Sequence, residues 1–409
     1  MSLSDALDSI STGPFQAAPV NKGQIDVTSN GATVKDVVVD QPIADDWTPV
    51  FKLFGLDATV FEVVDDTVRM STWQQSKASD DGERDIVQLY SYSARFRRIT
   101  SEKISAKVID EWRHALIQDR PTKHEPAPAL TTVPATYPIF IADSQFGKPG
   151  TEEALANYKR GVLGHCSTIR TMQEQGRSPE KVHLGWMGDE IENVCNNYAN
   201  QSHIVELNLS QQLELDYDTR VWTIKEVVKL GIPISASSVY SNHGAWTRNG
   251  GKDVITTHGD NASTYVARQA KKLFDEMEPF GGPKIDWTIG EETPGIVVPM
   301  SGVPVYMTHG YVEKGRGAST ELRAKNAVEK QILGQTDAFG SVPLWVFAHY
   351  HHFYTNEFQD RTLFGLPALE AERSSEYMLH QYGVWSPAGM MGLLVGQHTQ
   401  RGWSDLSVL

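Results

Sequence analysis

Apolar and polar positions divide the chain into three stretches of different rhythm. Residues 1–44 carry few aromatic side chains and many Ser, Asp, Gly, Val and Thr, a composition that reads as a mobile arm. Val37–Val39 is its one apolar run, readable as a strand or docking segment. From 45 to 123 the pattern is that of a small α+β domain. A short helix closes at Gly55, strands lie near 59–64, 67–73 and 88–98, and a helix runs from Ile104 to Leu116. Residues 124–136, rich in Pro, Ala and Thr, read as a linker. From 137 to 409, apolar strands near 138–142, 182–187, 233–240, 295–299, 303–308 and 342–348 are interspersed with helical stretches near 152–163, 222–230 and 263–277. The segment 383–395 reads as a turn and a closing strand. This alternation predicts an α/β domain, whose ligands bind beyond the C-terminal ends of strands.

Composition narrows the function classes. The chain has 409 residues, 40% of them hydrophobic, enough for a large domain and a small one. A net charge of −14 disfavours a general nucleic-acid coat, whose domains are usually basic. Bound divalent cations reverse such a field locally, so an enzyme acting on phosphates stays open. The basic stretch Arg95, Arg97, Arg98, Lys103, Lys107 and Arg113, with Tyr90, Tyr92 and Phe96, reads as a solvated face or as a contact for nucleic acid or a partner. Cys166 and Cys195 lack C-x-x-C partners, which fits a reducing compartment. With no signal-peptide pattern and no apolar stretch near the ~18–20 residues of a membrane span, a cytoplasmic protein is expected.

The chemistry concentrates at strand ends. Asp143-Ser144-Gln145, Gly188-Asp189 through Glu192, Ser241-Asn242-His243-Gly244, Thr308-His309-Gly310 and Ala348-His349-Tyr350-His351 each end or follow an apolar run. They supply carboxylates, carboxamides and imidazoles enough for two metal ions, with a histidine left over for acid catalysis. Asp143 and Gln145 share a face if extended. The segment from Glu190 looks helical, which would put Asp189 at a helix start, where capping competes with metal binding as its role and is weakened by the second strand-end aspartate, Asp143. His349-x-His351 is the sharpest string, since imidazoles at i and i+2 on a strand end share one side.

Together these strings resemble the calcineurin-like metallophosphoesterase superfamily over residues 137–400, and within it SbcD-type nucleases and related phosphoesterases of bacteria and phages. The resemblance implies an αββα sandwich of two mixed sheets. It implies that Asp143, Gln145, Asp189 and His351 hold one metal, and Asp189, Asn242, His309 and His349 the other. The ions would be Mn²⁺ by preference, or Mg²⁺, Fe or Zn²⁺. His243 would be the general acid and Glu192 a supporting residue, with Lys148 and Arg248 as weaker candidates for phosphate contacts. The implied reaction is phosphoester hydrolysis by a hydroxide shared between the metals. A phosphodiester such as DNA is the first substrate, and a cyclic nucleotide or monoester the alternative. A non-catalytic binding protein on the same fold is the third reading, and the N-terminal domain would serve a protein partner or homo-oligomer.

The chain departs from the family at named positions. Gln145 stands where histidine is usual, a weaker donor that should hold its ion less tightly. Gly244 replaces an acidic residue, which would leave His243 less firmly oriented. Ser241 and Ala348 replace glycines. His258 competes with His309 for the lone-histidine role, and His309 is preferred.

Overall fold

The strand Ala135–Ile141 is buried at every position, and Lys181–Trp186 at all but its first, as expected of central parallel strands covered on both faces. The computed structural model describes residues 23–28, 31–39, 41–43, 46–54, 61–78, 84–98, 104–118, 133–195, 197–198, 201–246, 248–249, 253–254, 256–310, 319–372, 378–379, 383 and 385–409. They form two compact units, Met1–Thr100 and Ser101–Leu409.

In the first unit, β1 (Gln24–Thr28), β2 (Gly31–Val39), β3 (Phe61–Val63), β4 (Arg69–Ala78) and β5 (Arg84–Arg98) form an antiparallel sheet centred on the long β5. Val34 and Val37 of β2 bury against Tyr92 and Phe96 of β5 and against Trp47, Val50 and Phe51 around the helix α1 (Thr48–Leu53). Residues 24–28 and 31–39 are therefore strands of this sheet, β2 packed into its core, where an arm was expected over 1–44. Residues 1–22 lie outside the described residues.

The second unit opens with α2 (Ala106–Gln118), whose Ile109 and Leu116 join its main apolar cluster. Arg113 Nε bonds Asp218 Oδ2 at 2.8 Å. The expected 45–123 domain thus loses its helix to the second unit, because that helix's apolar stripe finds its partners there. Most of the predicted linker, 124–132, lies outside the described residues.

Next come β6 (Ala135–Ile141), α3 (Thr151–Glu174), β7 (Lys181–Trp186), α4 (Gln201–Ile204), α5 (Leu209–Val228), β8 (Ile234–Ser238), the short β9 (Arg248–Asn249) and β10 (Asp253–Val254), α6 (Ala262–Met277) and β11 (Ile285–Ile289). They are followed by β12 (Gly295–Met300), β13 (Val303–Thr308), α7 (Thr320–Gly334), α8 (Thr336–Phe339), β14 (Leu344–Phe347), β15 (Tyr354–Phe358), β16 (Arg361–Gly365), β17 (Met391–Gly396) and β18 (Trp403–Val408). One mixed sheet has the order β11-β8-β7-β6-β17-β18, the other β12-β13-β14-β16-β15. Period-2 alternation sends Ile139 and Ile141 of β6 toward α3 and α5, and Phe140 between them toward Met307, Leu344 and Phe364 of the other sheet. That second sheet covers its far face with Ala324, Ala327 and Val328 of α7.

His183 on β7 is 1% exposed, its two ring nitrogens 2.9 and 2.8 Å from the hydroxyls of Ser235 and Ser237. Burial, with Lys181 nearby, pushes its pKa down to about 3. Below about pH 6.5 the unfolded chain takes up a proton that this imidazole refuses, so stability falls with pH. Between pH 7 and 5 this group should cost about 2 kcal/mol. His183→Gln is expected to narrow the loss of stability between those pH values by that amount in denaturant titrations. An unchanged loss would contradict it.

Candidate metal centre

The strands β6, β7 and β8 run parallel in one sheet, as do β13, β14 and β16 in the other. Asp143 and Gln145 follow β6, Asp189 follows β7, and Asn242 and His243 follow β8. His309 follows β13, and His349 and His351 follow β14. Parallel strands deliver these side chains to one edge because their carboxyl ends face the same way.

The backbone is bent hard to aim them. Asp143, Gln145, Asp189, His349 and His351 are all left-handed, with φ of 50°, 43°, 52°, 71° and 52°. A non-glycine residue in this region costs about 1–3 kcal/mol and persists only where its surroundings impose it. Here the loops after β6 and β7 lock together. Asp143 N–H bonds Gly188 O at 3.1 Å, Gln145 N–H bonds Asp189 O at 2.9 Å and Phe146 N–H bonds Glu190 O at 2.9 Å. Glu190 to Glu192 therefore pairs with Phe146 rather than forming a helix, and Asn193 turns left-handed at φ 67°, which corrects the expected helix start and removes capping as the role of Asp189.

The two glutamates of this run take different partners. Glu190 Oε1 accepts from Gly188 N–H at 3.1 Å and lies 3.2 Å from the fully buried Arg220, while Oε2 accepts from Ser263 at 2.5 Å. Glu192 turns to His243. Gly188 itself has φ 95°, and a Cβ there would lie 2.6 Å from Ser241 Cβ and 2.9 Å from His309 Nδ1. Gly188→Ala is expected to lose about 1–3 kcal/mol of stability in denaturant titrations and to weaken metal binding by shifting His309. A variant as stable as the parent would contradict the contact.

His309 is fully buried. Its Nδ1–H donates to Met187 O at 2.9 Å, so Nε2 faces Asp189 Oδ2 at 2.9 Å and Asn242 Oδ1 at 3.0 Å. Three electron-pair donors converge there, a geometry that needs a cation or a proton between them. Burial opposes protonation, but the Asp189 carboxylate outweighs it and raises the His309 pKa. His349 stands beside it, ring centroids 5.1 Å apart, its pKa held well down by burial and then by His309. Ligand atoms of Asp189, His309 and His349 all lie within 4.8 Å of one another. With the Asn242 oxygen, this donor set suits Mn²⁺, Fe or Zn²⁺.

The neighbouring position is built differently. Asp143 Oδ2 accepts from His349 N–H at 3.1 Å, whereas Oδ1 is buried with no hydrogen-bond donor and has His351 Nε2 at 3.3 Å. His351 Nδ1 lies 2.5 Å from Glu370 Oε1. Burial opposes a charge on His351, yet Glu370 and then Asp143 raise its pKa to about 10. Glu370 Oε2 meets Lys148 Nζ at 2.5 Å, and that ammonium also donates to Gln145 Oε1 at 2.8 Å. Asp143 and His351 fit a divalent cation, but the Gln145 oxygen already serves an ammonium.

His243 N–H donates to Asp189 Oδ1 at 2.8 Å, and its Nδ1 lies 2.9 Å from Glu192 O and 3.1 Å from Glu192 Oε2. The Tyr198 hydroxyl donates to the other Glu192 oxygen. Burial alone would depress the His243 pKa; Glu192, then Asp189, overcome this and raise it to about 9. The expectation that Gly244 leaves His243 loosely held is corrected, because Glu192 does the orienting. A Cβ at Gly244 would lie 2.2 Å from Asn261 Oδ1, so no acidic residue fits there without local rearrangement.

His258 is exposed and stacks on Tyr240 at 5.2 Å, away from this cluster. The Arg248 side chain is outside the described residues. Lys148, read as a phosphate contact, is instead paired with Glu370. In the basic stretch, Arg97 pairs with Glu62 at 2.8 Å, and Tyr92 and Phe96 are core residues. Glu370, Tyr198 and the Glu190–Arg220 pair escaped the sequence reading. Glu190 lies within a quoted string but without a role, no motif marks Tyr198 or Arg220, and the acidic Glu370 shortly after the strand β16 is the remaining signal.

No protein-family model matches the chain, and no curated protein matches it. Solved structures similar to it include an archaeal phosphodiesterase at 13% identity and TM-score 0.29, covering 67% of this chain and 99% of that one. A phosphopantetheinyl hydrolase from Mycobacterium tuberculosis is similar at 11% identity and TM-score 0.26, over 59% of this chain and 92% of its own. A 5'-nucleotidase from Candida albicans is similar at 9% identity and TM-score 0.32, over 70% and 54%. At these TM-scores the likenesses carry no functional weight. Among the described residues, no helix is long and apolar enough to cross a membrane.

Proposed function

We propose that this chain is a metal-dependent phosphoester hydrolase of the calcineurin-like kind, acting on phosphodiesters. The observation that carries the reading is His309 Nε2, turned by its Met187 bond toward Asp189 Oδ2 and Asn242 Oδ1 at 2.9 and 3.0 Å. The mixed α/β sheets, with their parallel strands ending at the ligand loops, and the left-handed ligand backbone support it.

Asp189, Asn242, His309 and His349 would hold one divalent ion, and Asp143, Gln145 and His351, with Asp189 shared, another. Bound there, such ions supply Lewis acidity and acidify a water toward neutrality. The protein's own contribution is orientation and a proton. Met187 O fixes the His309 tautomer, so Nε2 is the coordinating nitrogen. Glu370 does the same for His351. His243, held at Nδ1 by Glu192, keeps Nε2 for the substrate, and Glu192 and Asp189 favour its protonated form against burial, the form needed to protonate a departing alkoxide.

The discriminating experiment compares Mn²⁺-dependent hydrolysis of single-stranded DNA, duplex DNA, a cyclic nucleotide and a phosphomonoester. Turnover of a diester above the monoester is expected. A monoester preference would move the substrate class, and no turnover of any would count against a hydrolase.

A further inference from the structure

The Lys148 ammonium is placed among the proposed first-site groups by its hydrogen bonds to Gln145 and Glu370. It is 17% exposed and Glu370 2% exposed. Its ammonium touches a proposed ligand directly, Gln145 Oε1 at 2.8 Å, and touches the support of another, since Glu370 holds Lys148 through one oxygen and His351 through the other. Two consequences follow. The amide oxygen that would donate to a first ion already donates electron density to a fixed positive charge. The carboxylate that would strengthen His351 as a ligand is partly neutralised. The Asp189–His309–His349 cluster is arranged otherwise, with the neutral Met187 carbonyl supporting His309.

We infer that Lys148 sets the metal occupancy of the centre. Bridging Gln145 and Glu370, its ammonium is a resident cation that disfavours the first ion. One divalent ion then binds tightly at Asp189, Asn242, His309 and His349, and a second binds weakly at Asp143, Gln145 and His351. This rests on the metal-dependent reading above but goes beyond it, since the Gln145 substitution alone would weaken the first site without any part for Lys148.

The test is Mn²⁺ titration of the full chain by calorimetry, with electron paramagnetic resonance to detect a spin-coupled pair. The proteins are wild type, Lys148→Met, Lys148→Gln and Lys148→Arg. Wild type should show two unequal steps. Removing the charge in Lys148→Met should tighten the weak step at least about tenfold, the scale of one screened like-charge contact, and bring up the coupled signal at lower Mn²⁺. Lys148→Arg should leave the weak step weak. Lys148→Gln keeps a donor for both partners and reads the same charge effect should Lys148→Met fail to fold. Two equal steps in wild type, or a weak step unmoved in the neutral variants, would overturn the role of Lys148 while sparing the metal-dependent reading. Absence of any Mn²⁺ binding in wild type would overturn both.

Discussion

Asp189→Asn is expected to abolish divalent-metal binding and hydrolysis while leaving the chain folded. Asp189 Oδ1 accepts from His243 N–H and Oδ2 faces His309 Nε2. An asparagine oxygen can keep the first bond, and its amide N–H can donate to the neutral His309 nitrogen. Both bonds made by residue 189 then survive with no proton or metal required, and only the Asn242 Oδ1 contact with His309 Nε2 goes unsatisfied, so the variant should still fold. What it loses is the anion that both metal positions share. Groups supporting a metal ligand typically contribute 10–100-fold in affinity, so loss of a shared ligand should exceed about 100-fold. Mn²⁺ calorimetry against an unchanged circular dichroism spectrum checks it. A variant that keeps its metal would place the ion elsewhere.

His243→Ala should behave in the opposite way, with metal retained and turnover lost. His243 is bound to Glu192 and, through its backbone, to Asp189, while its side chain is not part of the converging donor set. Loss of a general acid typically costs about 10²–10⁴ in rate, most of it for substrates with poor leaving groups. Diesters with a nitrophenolate leaving group, which needs little protonation, should be hit least. Glu192→Gln should fall in between, lowering kcat more than it raises KM, because Tyr198 and His243 would still be partly held. The pH profile carries a sign. The acid form of His243 is held up to about pH 9 by Glu192 and Asp189 against burial, and bound cations push the other way. Activity on poor leaving groups should therefore fall on the alkaline side, at or below about 9, and that limb should vanish in His243→Ala. Equal loss on good and poor leaving groups would contradict an acid role.

How much of this was legible in the sequence differs by residue. Asp143, Asp189, Asn242, His243, His309, His349 and His351 announce themselves because a polar string ending an apolar run is a strand-end loop, and parallel strands gather such loops. Glu370 could not be found that way. Its partners, His351 and Lys148, are 19 and 222 residues distant in sequence; the pairing of β14 with β16 brings His351 to it, and the Leu369 N–H bond to Asp143 O brings the loop of Lys148. The helix expected after Gly188 failed for a related reason. Local propensity there gives way to backbone bonds with Phe146, on a different loop. In the N-terminal stretch only Val37–Val39 signals a strand, because Val34 looks isolated until β5 supplies Tyr92 and Phe96. Lys148 was read as a possible phosphate contact, since burial of a lysine depends on a carboxylate the sequence does not place beside it.

The most direct test of the account is Mn²⁺-dependent cleavage of a phosphodiester by the full chain, measured together with bound metal, for wild type, Asp189→Asn and His243→Ala. The account predicts activity only in wild type that carries Mn²⁺, none in Asp189→Asn with the metal lost, and little in His243→Ala with the metal kept. Wild-type activity that survives removal of all divalent metal by a chelator, or an active Asp189→Asn, would contradict it.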